Sequence, residues 1–314
     1  MSAEKNSPTV IFGPVPSRRF GTSLGVDLSP NIKQCNFDCL YCELERAKTV
    51  AQQTDVISVE EIISQLKTAL DNTQNLDVIT LTANGEPSLY PYLSELIDRI
   101  DEIKGDTKTL ILSNGANIYE NSIQETLKKI DIVKLSLDCV SEKCFKKLDR
   151  MDNSICYEKI VDGMVEFRKK HTKQLITETL FVKTLNDNEK EIEGIYNALL
   201  RIKPNRVDIG TIDRPPAYDV EAVSYETLLD VADSFKGLPV TIAHRNKDIK
   251  KFDYEENQIL RLLQRRPLSE DDIQNLFSDS SIKNLQQLIE QALVEQTTNN
   301  SVKFYKIVQK NLDK

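Results

Sequence analysis

From Ser23 onward, short apolar runs alternate with longer segments in which apolar residues recur every three or four positions. The runs Ser23–Leu28, Asp77–Thr82, Lys108–Ser113, Ile132–Asp138, Leu175–Lys183 and Arg206–Thr211 predict strands. Between them, Ser58–Leu70 sets Val59, Ile62, Ile63, Leu66, Ala69 and Leu70 on one helical face, and Ser58 with Glu61 predicts a capping box. Pro91–Ile103, Tyr119–Ile130, Ser154–Lys170 and Asn186–Ile202 repeat the helical period. Strands alternating with helices at this spacing predict an α/β fold with a parallel sheet. The six strand–helix units fall short of the eight of a closed barrel. The alternation follows a Pro- and Gly-containing entry, Phe12-Gly13-Pro14-Val15-Pro16.

Two of the strands carry charge. In Val133–Asp138, Val133, Leu135 and Leu137 face one side while Lys134, Ser136 and Asp138 face the other. Arg206 and Asp208 alternate with Val207 and Ile209 in the same way. Strands of a parallel sheet are normally apolar on both faces. Buried ion pairs would satisfy these charges, as would a polar cavity, and clefts with perturbed charged groups favour the cavity.

Beyond Pro215-Pro216 one more helix and a short strand, Pro239–Ile242, finish a first unit over residues 1–250, and the charged Lys247–Lys251 reads as a linker. Residues 253–314 predict a second unit. Asp253–Gln264 is a helix, Ser269 caps another containing Ile273, Leu276 and Phe277, and Ser281–Glu295 is a third. A hairpin follows, with Val302–Ile307 as its last strand. The order resembles a small winged-helix domain. DNA is a poor partner for it, because eight Lys and Arg face ten Asp and Glu from Asp253 onward. Its third helix sets Lys283 against Glu290 and Glu295, and only Lys303, Lys306 and Lys310 form a basic stripe. A protein contact or a lid suits this unit better.

Composition narrows the class further. With 314 residues, 39% hydrophobic and 29% charged, the chain suits a globular protein. The 41 Lys and Arg against 49 Asp and Glu give −8, which argues against dominant non-specific nucleic-acid binding. No stretch is long and apolar enough for a membrane span or a secretion signal. A cytoplasmic location is expected, with all six cysteines reduced.

Three of those cysteines stand together in Cys35-Asn36-Phe37-Asp38-Cys39-Leu40-Tyr41-Cys42. Thiolates spaced this closely can converge on a metal centre. A structural zinc site wants a fourth ligand, and His171 and His244 stand far away and alone. An ordinary [4Fe–4S] cluster also takes four cysteines. A cluster held by three keeps one iron open to a small molecule.

The motif resembles the signature of the radical S-adenosylmethionine (SAM) superfamily. Tyr41 matches the aromatic position that lies against adenine in that family. Asn84-Gly85-Glu86-Pro87, after the second strand, resembles its Gly-Gly-Glu-Pro motif, with Asn84 replacing the first glycine. The resemblance implies that Gly85 and Glu86 meet the SAM amino group, and that Ser113, Asn114, Ser136 and Asp138 contact its ribose and carboxylate. It also implies a partial (β/α)6 TIM-like barrel, a [4Fe–4S] cluster on Cys35, Cys39 and Cys42, and SAM as cofactor. In such enzymes a reduced flavodoxin or ferredoxin supplies one electron, SAM is cleaved, and a 5′-deoxyadenosyl radical abstracts hydrogen from substrate. Phe12–Gly21 with the adjacent cysteine loop resembles the UPF0026 branch, distantly similar to the tRNA wyosine-forming enzymes. That branch leaves the substrate open, a small molecule or an RNA.

Cys139, Cys144 and Cys156 match no compact ligand spacing, and Cys144 and Cys156 fall in segments read as helical. Arg18 and Arg19 are candidates for an anionic substrate or for ion pairs. An iron–sulfur redox-sensing regulator and a zinc-stabilised interaction protein are the other classes that the motif permits.

Overall fold

β-Branched and aliphatic residues at alternate positions give each strand one side for helices and one for an interior. The structure, a computed structural model, describes residues 8–17, 19–242, 251–265, 267–299 and 302–308. Arg18, His244, Lys247–Lys250 and Lys310 lie outside the described residues. One sheet orders its eight strands as β1 (Ile11–Ser17), β2 (Gly21–Asp27), β3 (Val78–Thr82), β4 (Lys108–Ser113), β5 (Ile132–Ser136), β6 (Gln174–Phe181), β7 (Arg206–Thr211) and β8 (Val240–Ile242). β1 is antiparallel to β2, and each later pair is parallel. The helices α1 (Val59–Asp71), α2 (Leu93–Asp101) and α3 (Asn121–Leu127) follow β2, β3 and β4. α4 (Glu142–Cys144) and α5 (Glu158–Lys170) follow β5, α6 (Glu189–Ile202) follows β6, and α7 (Tyr225–Ser234) follows β7. Six strand–helix units thus form the expected partial barrel, flanked by two additional strands.

Three local readings need correction. The Pro- and Gly-containing entry, not among the strand candidates, is β1. Pro14 and Pro16 lack an N–H, and an edge strand with a register shift between Phe12 and Val15 tolerates that. α5 starts four residues late, because the Asp152 carboxylate accepts from Ser154 N at 2.9 Å and Oγ at 2.7 Å and holds a turn. Ser58 does accept from Glu61 N, but the Glu61 carboxylate accepts from Gln65 Nε2 at 2.7 Å, so only half of the capping box forms.

Inside the sheet the polar alternation becomes a layered lumen. Val78, Leu110, Ile132 and Ile176 form an apolar floor with Phe20. Above it, Lys134 Nζ lies 2.6 Å from Glu178 Oε1 and 3.3 Å from Asp208 Oδ2. Arg206 Nε reaches Asp208 Oδ1 at 2.8 Å, and Arg19 pairs with both Glu178 and Asp208. Asp208 is fully buried. Three surrounding cations make its charge tolerable there. Lys134, Glu178 and Arg19 also line a cavity of ≈ 2030 Å³. The ion-pair cluster therefore borders the polar cavity through Lys134, Glu178 and Arg19.

The C-terminal segment has its own apolar core, which includes Tyr254, Ile259, Leu268, Phe277 and Leu288. α8 (Glu256–Arg265), β9 (Leu268–Ser269), α9 (Glu270–Leu276) and α10 (Asp279–Glu290) lead into a hairpin of β10 (Val294–Asn299) and β11 (Val302–Ile307). β9 pairs with β11, giving the order β10-β11-β9. Ser269 caps α9 as read, with Asp272 completing a capping box. The third helix ends before the predicted Glu295, which lies in β10 and pairs with Lys306 at 2.9 Å. Lys303 stands 3.6 Å from Glu270, so the basic stripe is largely neutralised. Val15 of β1 packs on this core, and Tyr254 Oη donates to Pro14 O at 3.0 Å.

Candidate active site

The cysteine loop leaves β2 and is tied down by backbone hydrogen bonds at both ends. Gln34 N donates to Asn84 O and Glu86 N to Gln34 O, both at 2.9 Å, so the loop runs against the segment after β3. The Gln34 side chain is buried, accepting from Thr54 N at 2.7 Å and donating to Ser29 Oγ at 2.8 Å. Gly85 meets this crossing with φ +137°, and a Cβ there would stand 2.0 Å from Gln34 O. Only glycine fits. Farther along, Asp38 N donates to Asp149 O and Leu40 N to Leu148 O, at 3.0 and 2.9 Å. Cys35, Cys39 and Cys42 are free and half-buried on this scaffold.

The residues read as SAM contacts fall into two groups. In the first, Glu86 Oε1 accepts from Ser88 N at 2.9 Å and Ser113 Oγ at 2.7 Å, while Oε2 accepts from Asn114 N at 2.7 Å. Asn114 Nδ2 in turn donates to Asn36 Oδ1 at 2.7 Å and reaches Cys35 Sγ at 3.7 Å. Glu86, Ser113 and Asn114 thus form one network that ends on a cysteine sulfur. In the second group, the Tyr41 hydroxyl donates to Asp138, whose other oxygen accepts from Leu180 N at 2.6 Å. Ser136 ends β5 and is half-buried.

Burial sets the electrostatics. It pushes the Cys35 thiol up to about 12, raises Cys39 and Cys42 as well, and lifts the Asp138 carboxyl to about 7 against the Leu180 and Tyr41 donors. Burial also raises Glu86, opposed by its hydrogen bonds from Asn114, Ser88 and Ser113. Donors nevertheless point at two of the sulfurs: Phe37 N at 3.4 Å and Asn114 Nδ2 on Cys35, and Lys33 Nζ at 3.7 Å on Cys42. Beside them, Asn36 Nδ2 and Asp149 Oδ1 are buried without a hydrogen-bond partner. Free thiols supplied with N–H donors and neighbouring unsatisfied polar atoms fit an iron–sulfur cluster. Among the described residues, no three His, Cys, Asp or Glu side chains are grouped to hold a single metal ion. A structural zinc needs its sulfurs about 2.3 Å from one point, whereas a cubane lets each thiolate meet a different iron.

Sequence reasoning missed Gln34, Asp38 and Asp149. Gln34 and Asp38 are short polar neighbours of the cysteines, a signal that was available; Asp149 lies far along the chain and gave none. The remaining cysteines need a correction. Cys139 and Cys144 are joined in a disulfide with Cα atoms 5.4 Å apart, so not all six thiols are free. Cys139 precedes the one-turn helix α4 and Cys144 ends it. Cys156 lies before α5, not in a helix, and contacts Glu158 at 3.3 Å. His171 is buried and stacked on Phe167. Arg19 takes the ion-pair role, toward Glu178 and Asp208.

Comparison with known proteins agrees with this geometry. A family model described as the radical SAM superfamily matches residues 32–199. A UPF0026 protein of Helicobacter pylori is 41% identical over 304 residues, 96% of this chain and 98% of its own length. A UPF0026 protein of Methanocaldococcus jannaschii is 29% identical over 288 residues, 87% of this chain and 88% of its own. Among solved structures, Streptococcus suis SuiB bound to S-adenosylmethionine shares the fold with a TM-score of 0.53 at 18% identity, over 71% of this chain and 51% of that one.

Proposed function

The chain belongs to the radical SAM superfamily of enzymes, and from that premise we propose that Cys35, Cys39 and Cys42 hold a [4Fe–4S] cluster whose open iron takes SAM. When bound, the pair supplies reductive cleavage of SAM to a 5′-deoxyadenosyl radical able to abstract hydrogen from a substrate. The observation that carries this reading is the network running from Glu86 through Asn114 to Cys35 Sγ. A carboxylate suited to accept from an ammonium is thereby linked through one residue to a free cysteine sulfur, which supports the reading.

The chain's own groups then divide the work. A carboxylate offers about four lone-pair sites, and Glu86 already uses two on Oε1 and one on Oε2, leaving Oε2 able to accept from the ammonium. Ser113 and Asn114 orient that carboxylate. Tyr41, Ser136 and Asp138 would contact the bound SAM, with the Tyr41 hydroxyl held by Asp138. The charged lumen and its cavity receive the substrate. At ≈ 2030 Å³ the cavity exceeds the roughly 300–1,000 Å³ usual for small-molecule sites, so a substrate larger than a simple metabolite has room. Asn257, Leu260 and Gln264 of α8 line it as well, which supports a covering role for the C-terminal unit.

The test is anaerobic reconstitution followed by dithionite reduction with SAM. About four irons per chain and release of 5′-deoxyadenosine are expected. A fully loaded protein that leaves SAM intact would refute the reading, and stoichiometric zinc in its place would revive the scaffold alternative.

A further inference from the structure

A buried cation stands at the entrance to the cysteine loop. Lys33 lies between Ile32, whose carbonyl accepts from Ser29 Oγ at 2.6 Å, and Gln34, whose N–H donates to Asn84 O at 2.9 Å. Both ties fix where its side chain starts. That side chain is only 6% exposed, and its Nζ stands 3.7 Å from Cys42 Sγ and 3.6 Å from Asp38 Oδ1. Among the described residues, Cys42 Sγ is the one hydrogen-bond partner of this ammonium. Asp38 is the obvious counter-ion, yet it is shared. Its Oδ2 accepts from the Tyr218 hydroxyl and faces Arg150 Nη1 at 3.3 Å, while its buried Oδ1 has no hydrogen-bond partner. One carboxylate thus stands between two cations. A buried ammonium is costly unless opposite charge meets it. The other sulfurs differ: Cys35 receives neutral amide donors, Phe37 N and Asn114 Nδ2, and among the described residues Cys42 alone receives a charged one.

We propose that Lys33 tunes the cluster: its ammonium, directed at Cys42, favours the reduced state and so raises the reduction potential. The assignment rests on the function proposed above. A [4Fe–4S] core on three thiolates already carries net negative charge, and reduction adds one electron with no proton or atom to offset it. A fixed positive charge at a ligand sulfur is therefore attracted more strongly to the reduced form, and an N–H···S bond acts in the same direction. Burial strengthens both effects, because little water is near to screen them. Lys33 acts through Cys42 and touches no reacting atom, so it is a positioning residue. In the step it serves, the cluster gains one electron, taken in the test below from dithionite, and Lys33 keeps its proton.

The test is a dithionite potentiometric titration of the full-length reconstituted chain without SAM, followed by electron paramagnetic resonance of the reduced cluster. Lys33→Met keeps the length and removes the charge. At a given potential it should hold roughly ten-fold less reduced cluster, a downward shift of about 59 mV. Lys33→Arg keeps the charge and should stay near wild type. Asp38→Asn removes the competing carboxylate and should shift the potential upward. An unchanged potential in Lys33→Met overturns the assignment. So does an equal fall in Lys33→Arg, which would make the effect one of shape. A shift that appears only with SAM present would give Lys33 to the SAM carboxylate and overturns it too. If Lys33→Met takes up no iron, Asp38→Asn decides: a rise supports the tuning, and a potential that stays or falls overturns it. A wild-type cluster tuned in this way that leaves SAM intact under dithionite would support the assignment and sink the function proposed above. A wild-type chain that takes up no iron sinks both.

Discussion

Glu86 illustrates how much a single buried carboxylate can organise. Its three hydrogen bonds join the segment after β3 to the end of β4, and through Asn114 to the cysteine loop. Glu86→Gln would turn an N–H toward a donor already aimed at that site. The cluster-free variant should lose roughly 1–3 kcal/mol in denaturant unfolding. SAM binding to the loaded variant should weaken by roughly 1.5–3 kcal/mol, read from anaerobic titration of the cluster signal. Unchanged values for both would reduce Glu86 to a turn residue. At the cysteines, Cys39→Ala should abolish the brown chromophore after reconstitution, and Cys156→Ala should keep it. A normal iron count in Cys39→Ala would remove the cluster assignment, because three thiolates are all that this loop offers.

Among the elements, the strands owe their register to polar ties at the barrel's lower edge as much as to apolar faces. Asp131, just before β5, accepts from Thr109 N at 2.9 Å and pairs with Lys104 and Lys173. Burial alone would raise its carboxyl, but the Lys173, Thr109 and Lys104 donors outweigh it and hold the group well below the usual carboxylate range. A depressed folded-state value means that the stabilisation is complete above the unfolded value of about 4 and is lost as pH falls below it. Asp131→Asn should therefore cost about 1–2.5 kcal/mol at neutral pH, and the gap from wild type should close progressively below pH ~4. Urea unfolding at several pH values checks this, and a gap constant down to pH ~2 would count against it. β1 shows the opposite limit of local reading. Two prolines hid it, and its antiparallel partner β2 made it a strand.

For the whole molecule, two apolar cores meet along β1, where Val15 and Pro14 contact the C-terminal unit. We expect the first unit to fold by itself. A chain ending at residue 250 should retain cluster uptake and SAM cleavage, while turnover of the true substrate falls because α8 no longer walls the cavity. Loss of the cluster on truncation, measured by iron content, would show that the C-terminal unit is needed to complete the barrel. The isolated segment should bind duplex DNA weakly, since Lys303 and Lys306 are paired with Glu270 and Glu295.

The sequence by itself determined the strand–helix alternation, the three-cysteine loop and the Asn84–Pro87 turn, because period and spacing are local properties that the chain carries into any fold. It also told which strand faces would be charged. Tertiary structure alone decided that Lys134, Arg206 and Arg19 would share Asp208, that Asn114 would reach Cys35, and that Asp149 would hold the cysteine loop by its backbone. Apart from Arg206 and Asp208, two residues apart on β7, these pairs are separated by tens of residues or more, and nothing in local propensity ranks one distant partner above another. Parallel pairing brings strand ends into one rim, and burial then selects the contacts that leave the fewest charges unpaired.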